Sequence, residues 1–160
     1  MQPSPYRGQP TPDVERAWRK LARVPRIQFP SSKLSALNKT DSDTYALAAA
    51  QYGGGVLGYL NVFHELHCLN MIRQYTYRDS YDYSDVTAFH APEEIVRGHV
   101  DHCIETIRKQ LMCTSDVTPV VFVKDASRAT GLKPDFNLRR KCRDYEQIRQ
   151  WAFQNRAEPE

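Results

Sequence analysis

His64, His67 and Cys68 recur as His99, His102 and Cys103, the same His-x-x-His-Cys pattern 35 residues later. A helix advances about 100° per residue, so positions i, i+3 and i+4 share a face. On helices, His64 and His67 point the same way with Cys68 beside them, and His99, His102 and Cys103 repeat the arrangement. Two such helices packed face to face gather four imidazoles and two sulfurs into one small volume. Neutral imidazole suits copper, zinc, iron and nickel. The set allows one four-coordinate ion, one ion with an open position, or two ions. The sulfurs serve either as thiolate ligands or as a Cys68–Cys103 disulfide joining the helices. One His-x-x-His alone is weak evidence. Two copies that each end in cysteine and use four of the chain's five histidines are much stronger.

Other chemistry is thin. His64-Glu65-Leu66-His67 superficially resembles a zinc protease motif, but that motif spaces its histidines i and i+4, not i and i+3. Glu65 is expected to face solvent, away from the histidines. His90 precedes a helix and is expected at the surface or in a cap. No P-loop, dinucleotide-binding glycine motif or nucleophile elbow occurs. Tyr75, Tyr77, Tyr81 and Tyr83 are expected to pack half-buried, with a role lining a cleft as the alternative. The four cysteines, Cys68, Cys103, Cys113 and Cys142, contain no Cys-x-x-Cys pair, which argues against a zinc ribbon. Two disulfides in an oxidising compartment are compatible with this count. The sequon Asn38-Lys39-Thr40 makes Asn38 a glycosylation candidate.

The paired motifs need helices to present them. The pattern from Leu57 to Tyr77 predicts one long helix. Pro92 with Glu93 and Glu94 opens a second, to about Met112, because proline and carboxylates suit a helix start. Its expected inward residues are Ile95, Val96, His99, Cys103, Ile107 and Leu111. Thr11 caps a short helix that carries Val14, Trp18 and Leu21 and ends near Val24. Asp144 caps a last helix with Tyr145, Ile148 and Trp151. Ile27 and Phe29 read as extended, Ser31 to Asp43 as loop, and alanine-rich Tyr45 to Tyr52 as helix broken by Gly53 to Gly55. Val117 to Val123 is β-prone, and residues 124–141 read as irregular. The expectation is a mainly α single domain around two long antiparallel helices, with short flanking helices and minor β. Residues 1–12 are expected to be disordered or loosely docked, 13–155 to form the domain, and 156–160 a tail.

The chain has 160 residues, 41% of them apolar, and a net charge of +3, which suits one domain with one core. Its basic residues are dispersed and no nucleic-acid reading module appears, so no nucleic-acid partner is expected. No apolar run is long enough to span a membrane.

Several motifs together resemble a known family. Val62-Phe63-His64-Glu65-Leu66-His67-Cys68-Leu69-Asn70 followed by Arg73 resembles the first signature of the UstYa-type proteins of fungal natural-product clusters. His99-Val100-Asp101-His102-Cys103-Ile104-Glu105, then Leu111-Met112-Cys113 and Asp116-Val117-Thr118, resembles the second. Cys142-Arg143-Asp144-Tyr145 with Ile148 and Trp151 resembles the closing segment, so the likeness runs from about Trp18 to Trp151. It implies an oxidase of ribosomal or nonribosomal peptide pathways, performing oxidative macrocyclisation, hydroxylation, desaturation or halogenation. Copper is the implied cofactor, with zinc or iron as alternatives, and His64, His67, His99 and His102 match the family's histidines. Many relatives carry a histidine shortly before the last cysteine, where this chain has Arg139-Arg140-Lys141. Four histidines must therefore suffice here.

The same resemblance implies a peptide or peptide-like substrate, dioxygen, and a second UstYa-like protein or a homodimer as partners. It also implies a lumenal domain behind an N-terminal membrane anchor, a segment expected in the full-length protein and absent from this chain. Cys68–Cys103 with Cys113–Cys142 is the favoured disulfide pairing among three. Arg73 and Asp101 stand beside the motifs and are assigned no role. The competing reading is a non-catalytic partner subunit of another such oxidase, stabilised by zinc or disulfides.

Overall fold

A computed structural model describes residues 4–39 and 44–157. It is mainly α: α1 (Pro12–Leu21), β1 (Ile27–Phe29), β2 (Val56–Gly58), α2 (Asn61–Tyr77), α3 (Glu93–Thr114), β3 (Val121–Lys124), β4 (Leu132–Asp135) and α4 (Tyr145–Gln154). Two antiparallel ribbons, β1–β2 and β3–β4, supply the β structure.

Local chemistry explains the helix ends. Thr11 Oγ1 accepts from the Val14 amide at 3.3 Å, and Asp144 Oδ1 accepts from the Gln147 amide at 3.0 Å. Both satisfy amides that the first helical turn leaves without partners. Pro92 takes the cap position of α3, with Glu93 and Glu94 in the first turn as expected.

Apolar residues occur all round α2 because it is covered on two sides. Phe63 packs into one core with Ile27 and Ala152, while Cys68 and Met71 pack into another with Val96, Val100 and Cys103. The buried stripe of α3 is thus Val96, Val100 and Cys103. Ile95 and Leu111, expected inward, are 59% and 66% exposed. Ile95 shares the flank of His99 and His102 at i+4 and i+7. Leu111 lies past the level at which α2 starts at Asn61. On α4, Trp151 is likewise exposed and Ala152 takes the buried position.

The segments without strong periodicity departed most from expectation. Tyr45 to Tyr52 is not a helix: Leu47 bridges Val56, and only Ala50–Tyr52 forms a 3₁₀ turn. Ser31–Leu37, read as loop, is also 3₁₀. Leu57, placed at the start of the first long helix, belongs instead to β2, with Phe29 opposite Val56. Gly53 turns the chain there at φ 100, and Gly55 lies so close to β1 that a Cβ would stand 2.6 Å from the Phe29 carbonyl oxygen. Residues 132–135, read as irregular, pair with β3 through a hairpin.

The N-terminal segment docks through Tyr6. Its ring meets Trp18 edge to face at 5.6 Å, and the Trp18 indole N–H donates to the Tyr6 carbonyl at 2.9 Å. Beneath Trp18, Arg73 of α2 donates to both Glu15 oxygens at 2.8 and 2.7 Å, and the Tyr83 hydroxyl donates to the same carboxylate at 3.0 Å. This bidentate pair, with side chains only 12% and 8% exposed, ties α1, α2 and the segment after α2 together. Burial raises the Glu15 pKa, but its bonds to Arg73 and Tyr83 and the Arg73 charge outweigh that and leave it below 4.5.

Replacing Glu15 by alanine leaves Arg73 buried and uncompensated and is expected to cost roughly 3–5 kcal/mol by urea unfolding. Because the folded carboxyl has the lower pKa, its contribution is full above about pH 4.5 and is lost as pH falls through the folded value. Unfolding midpoints measured from about pH 7 to 3 should show this loss in the wild type and a shallower one in E15Q. Equal slopes would exclude Glu15 as a source of acid sensitivity.

Candidate metal centre

The antiparallel packing of α2 on α3 places His64 opposite His102 and His67 opposite His99. Ring centroids lie 5.6 Å apart in the first pair and 6.1 Å in the second. Along each helix the separations are 6.4 Å for His64–His67 and 6.5 Å for His99–His102. The four rings therefore form a near-square. An approximate two-fold axis through its centre exchanges the motifs, carrying the His64–His102 contact onto the His99–His67 contact.

Cys68 and Cys103 occupy the buried seam under this square, both with no exposed surface. Cysteine is small, so the helices can approach closely at this level. The histidines stand on the flank of the seam: His64, His67 and His99 are half-buried and His102 is exposed. Such placement leaves the square open to molecules from solvent.

The donor set fits a transition ion. His64 Nε2 lies 3.8 Å from Cys68 Sγ, and His64, Cys68 and His102 bring donor atoms within 4.8 Å of one another. Bonds of about 2.0 Å in a tetrahedral site put nitrogens roughly 3.3 Å apart; among the described residues His67 and His99 lie outside this three-residue group, so a four-histidine site requires their side chains to turn inward. Burial, then the neighbouring histidines, lower the pKa values of His64 and His67 and favour the neutral form that binds metal. Burial and a hydrogen bond with Cys68 push the Cys103 thiol up to about 12, which favours its protonated form.

The remaining expected residues have other partners. All four cysteines are free thiols in this structure; Cys113 and Cys142 are exposed and distinct from the buried pair. Glu65, expected in solvent, is half-buried and accepts from the Asn61 side-chain amide; burial raises its pKa. His90 is exposed and donates from Nε2 to the Ser84 carbonyl at 2.7 Å, a surface tie as expected. Asp101 pairs with Arg97 one turn away at 2.7 Å. Asn38 is exposed at the end of the 3₁₀ turn, while Thr40 of its sequon lies outside the described residues.

Beside His67 the surface falls into a cleft of about 1060 Å³ between α1, the outer face of α2 and the segment 81–86. Sequence reasoning named Tyr81 and Tyr83 here but missed the wall formed by α1. The missed signal is the run of cations Arg16, Arg19 and Lys20 on α1, with Arg23 just past the helix end at Leu21.

Family comparison now bears on the square of histidines. Residues 1–155 match the family model described as "Mycotoxin biosynthesis protein UstYa". The chain belongs to the UstYa family. It is 64% identical over 155 residues to "UstYa family oxidase phomYc" of Diaporthe leptostromiformis, covering 97% of this chain and 60% of that protein. A second Diaporthe leptostromiformis protein, "UstYa family oxidase phomYc'", is 58% identical over 97% of this chain and 53% of its own length. "Transacylase cctO" of Talaromyces islandicus is 34% identical over 96% of this chain and 53% of its own length. The chain thus spans little more than half the length of these curated relatives. No solved structure matches it.

Burial separates the four thiols into two classes. In the reduced native protein, Cys113 and Cys142 should react quickly with a maleimide, while Cys68 and Cys103 should react only on unfolding. Mass spectrometry of the labelled peptides checks this. Fast native labelling of Cys68 would show that the helix seam opens readily.

Proposed function

We propose that this chain is the metal-bearing domain of a copper-dependent oxidase acting on a peptide-derived intermediate of a fungal natural-product pathway. The square of four histidines on the open flank of the α2–α3 seam carries this reading. His64, His67, His99 and His102 hold the metal, and copper bound there supplies one-electron redox chemistry and activation of dioxygen. The relatives named as UstYa family oxidases support an oxidative role. The reaction falls among oxidative cyclisation, hydroxylation, desaturation and halogenation of the substrate.

The chain's own residues prepare the site. The buried Cys68, Val100 and Cys103 fix the helix spacing, and the Glu15–Arg73 pair anchors α2 one turn beyond Asn70, whose side-chain oxygen accepts from Arg73 Nε at 3.0 Å. The helix that carries His67 is thereby held against α1, and the exposed side of the square faces the space a substrate must enter. The reading includes a lumenal setting, behind an anchor in the full-length protein, which the exposed Asn38 supports.

One observation favours a second reading. The His64–Cys68–His102 cluster mixes nitrogen with sulfur, a set that also suits a closed structural zinc site in a partner subunit.

Copper loading followed by electron paramagnetic resonance and metal analysis separates the two. The oxidase reading expects a copper(II) signal with nitrogen hyperfine coupling. One equivalent of zinc and no copper signal after loading would overturn it. Replacing His67 and His102 together by alanine is expected to weaken metal binding more than about 100-fold and to abolish oxygen consumption. Unchanged binding would refute the ligand assignment. Expression through a fungal secretory pathway should add an endoglycosidase-sensitive glycan that N38Q lacks, and no shift between wild type and N38Q would remove the support Asn38 lends to a lumenal setting.

A further inference from the structure

The hairpin β3–β4 stands apart from the core. Every residue of β3 is exposed, Phe122 to 64% and Val121 to 55%, and the strand pairs with β4 alone. An apolar strand with a free edge invites another strand, because its outward amides and carbonyls have no protein partner.

The register decides which groups face that edge. The Asp125 amide donates to the Gly131 carbonyl at 2.9 Å, so Asp125 turns its backbone amide towards β4. Residues along an antiparallel pair alternate in this respect. Val123 and Val121, opposite Lys133 and Asp135, therefore bond to β4. Lys124 and Phe122, opposite Leu132 and Pro134, turn their N–H and C=O groups outward. Pro134 agrees with this alternation, since it has no amide hydrogen to give to β3.

The outer edge of β4 is closed. Thr130 Oγ1 accepts from the Leu132 amide at 3.4 Å and donates to the Leu132 carbonyl at 3.1 Å. Pro134 lacks a donor, and the Phe136 carbonyl accepts from the Leu138 amide at 3.0 Å. The hairpin thus offers one open edge, that of β3, and its centre is the uncharged run Val121-Phe122-Val123.

We propose that β3 pairs antiparallel with β3 of a second copy, about a two-fold axis at Phe122, to form a four-stranded sheet. In this register Phe122 lies opposite the partner's Phe122, Val121 opposite the partner's Val123, and Val120 opposite the partner's Lys124. The outward groups of Phe122, Val120 and Lys124 then make about six backbone hydrogen bonds across the axis. Aromatic and β-branched side chains meet their like, which favours a cross-strand pair. The two lysines stand roughly 14 Å apart along the strands, beyond the screening length at physiological salt. A second copy is the occupant because the edge complements itself and each chain has one. Pairing consumes both open edges, leaves the closed β4 edges outside and stops at two chains. An interface of this extent falls in the small, transient class below about 1,200 Å². The inference rests on the strand edge and is independent of the metal.

The test uses the full chain with its exposed Cys113 and Cys142 kept reduced. Sedimentation velocity should show monomer giving way to dimer between about 2 and 200 µM. F122P removes the donor at the axis and spares every bond to β4, and it should raise the dissociation constant at least about tenfold. F122K sets two like charges opposite each other and should weaken the dimer by about the same factor. L132K, on the closed edge, should stay within about twofold of the wild type. Hydrogen exchange of the wild type reads the register itself. The Val121 and Val123 amides should be protected at every concentration, and those of Phe122 and Lys124 only as the dimer forms. A monomer throughout the range, a dimer whose Phe122 amide stays unprotected, or an unchanged dissociation constant in F122K would each overturn the proposal.

Discussion

Everything at the candidate metal centre depends on the packing of α2 against α3 through Cys68, Met71, Val96, Val100 and Cys103. Neither helix alone assembles more than two imidazoles and a thiol. The seam brings the motifs together in antiparallel register, and that register is set by apolar burial, not by the histidines. Removing a large side chain such as Met71 from such a seam costs about 2–5 kcal/mol, more than most surface contacts contribute. The site therefore inherits its precision from the core beneath it.

Placing the histidines on the flank of the seam resolves a conflict between stability and chemistry. A metal square buried in the seam would be rigid but closed to a substrate. A square on a free surface helix would be open but poorly held. Here the thiols and valines form the floor, and the rings form a half-exposed lip. Partial burial depresses the pKa values of His64 and His67, which favours the neutral form a metal needs. The approximate two-fold symmetry follows from repeating one motif on two antiparallel helices. It is incomplete, because the three-donor cluster forms around His64, Cys68 and His102.

The Glu15–Arg73–Tyr83 network extends this order to the cleft. Arg73 follows His67 by six residues on α2, and its bidentate bond to Glu15 fixes α1 alongside. Glu15 and Tyr83 of this network also line the cleft, beside Arg16, Arg19 and Lys20 of α1.

The sequence by itself determined the two long helices, their antiparallel pairing, the histidines that meet and the caps Thr11 and Asp144. These are local or periodic properties, set by spacing within a helix turn. It also carried enough signature to place the chain in its family. Only the tertiary structure decided which face of α3 is buried, since Ile95 and Leu111 are as apolar as Val96 and differ only in what α2 covers. It likewise decided that Tyr45 to Tyr52 bridges β2, because a partner strand outweighs the helix preference of alanine. The role of Arg73, a bond across 58 residues to Glu15, was invisible for the same reason: nothing local marks a pair that only packing brings together.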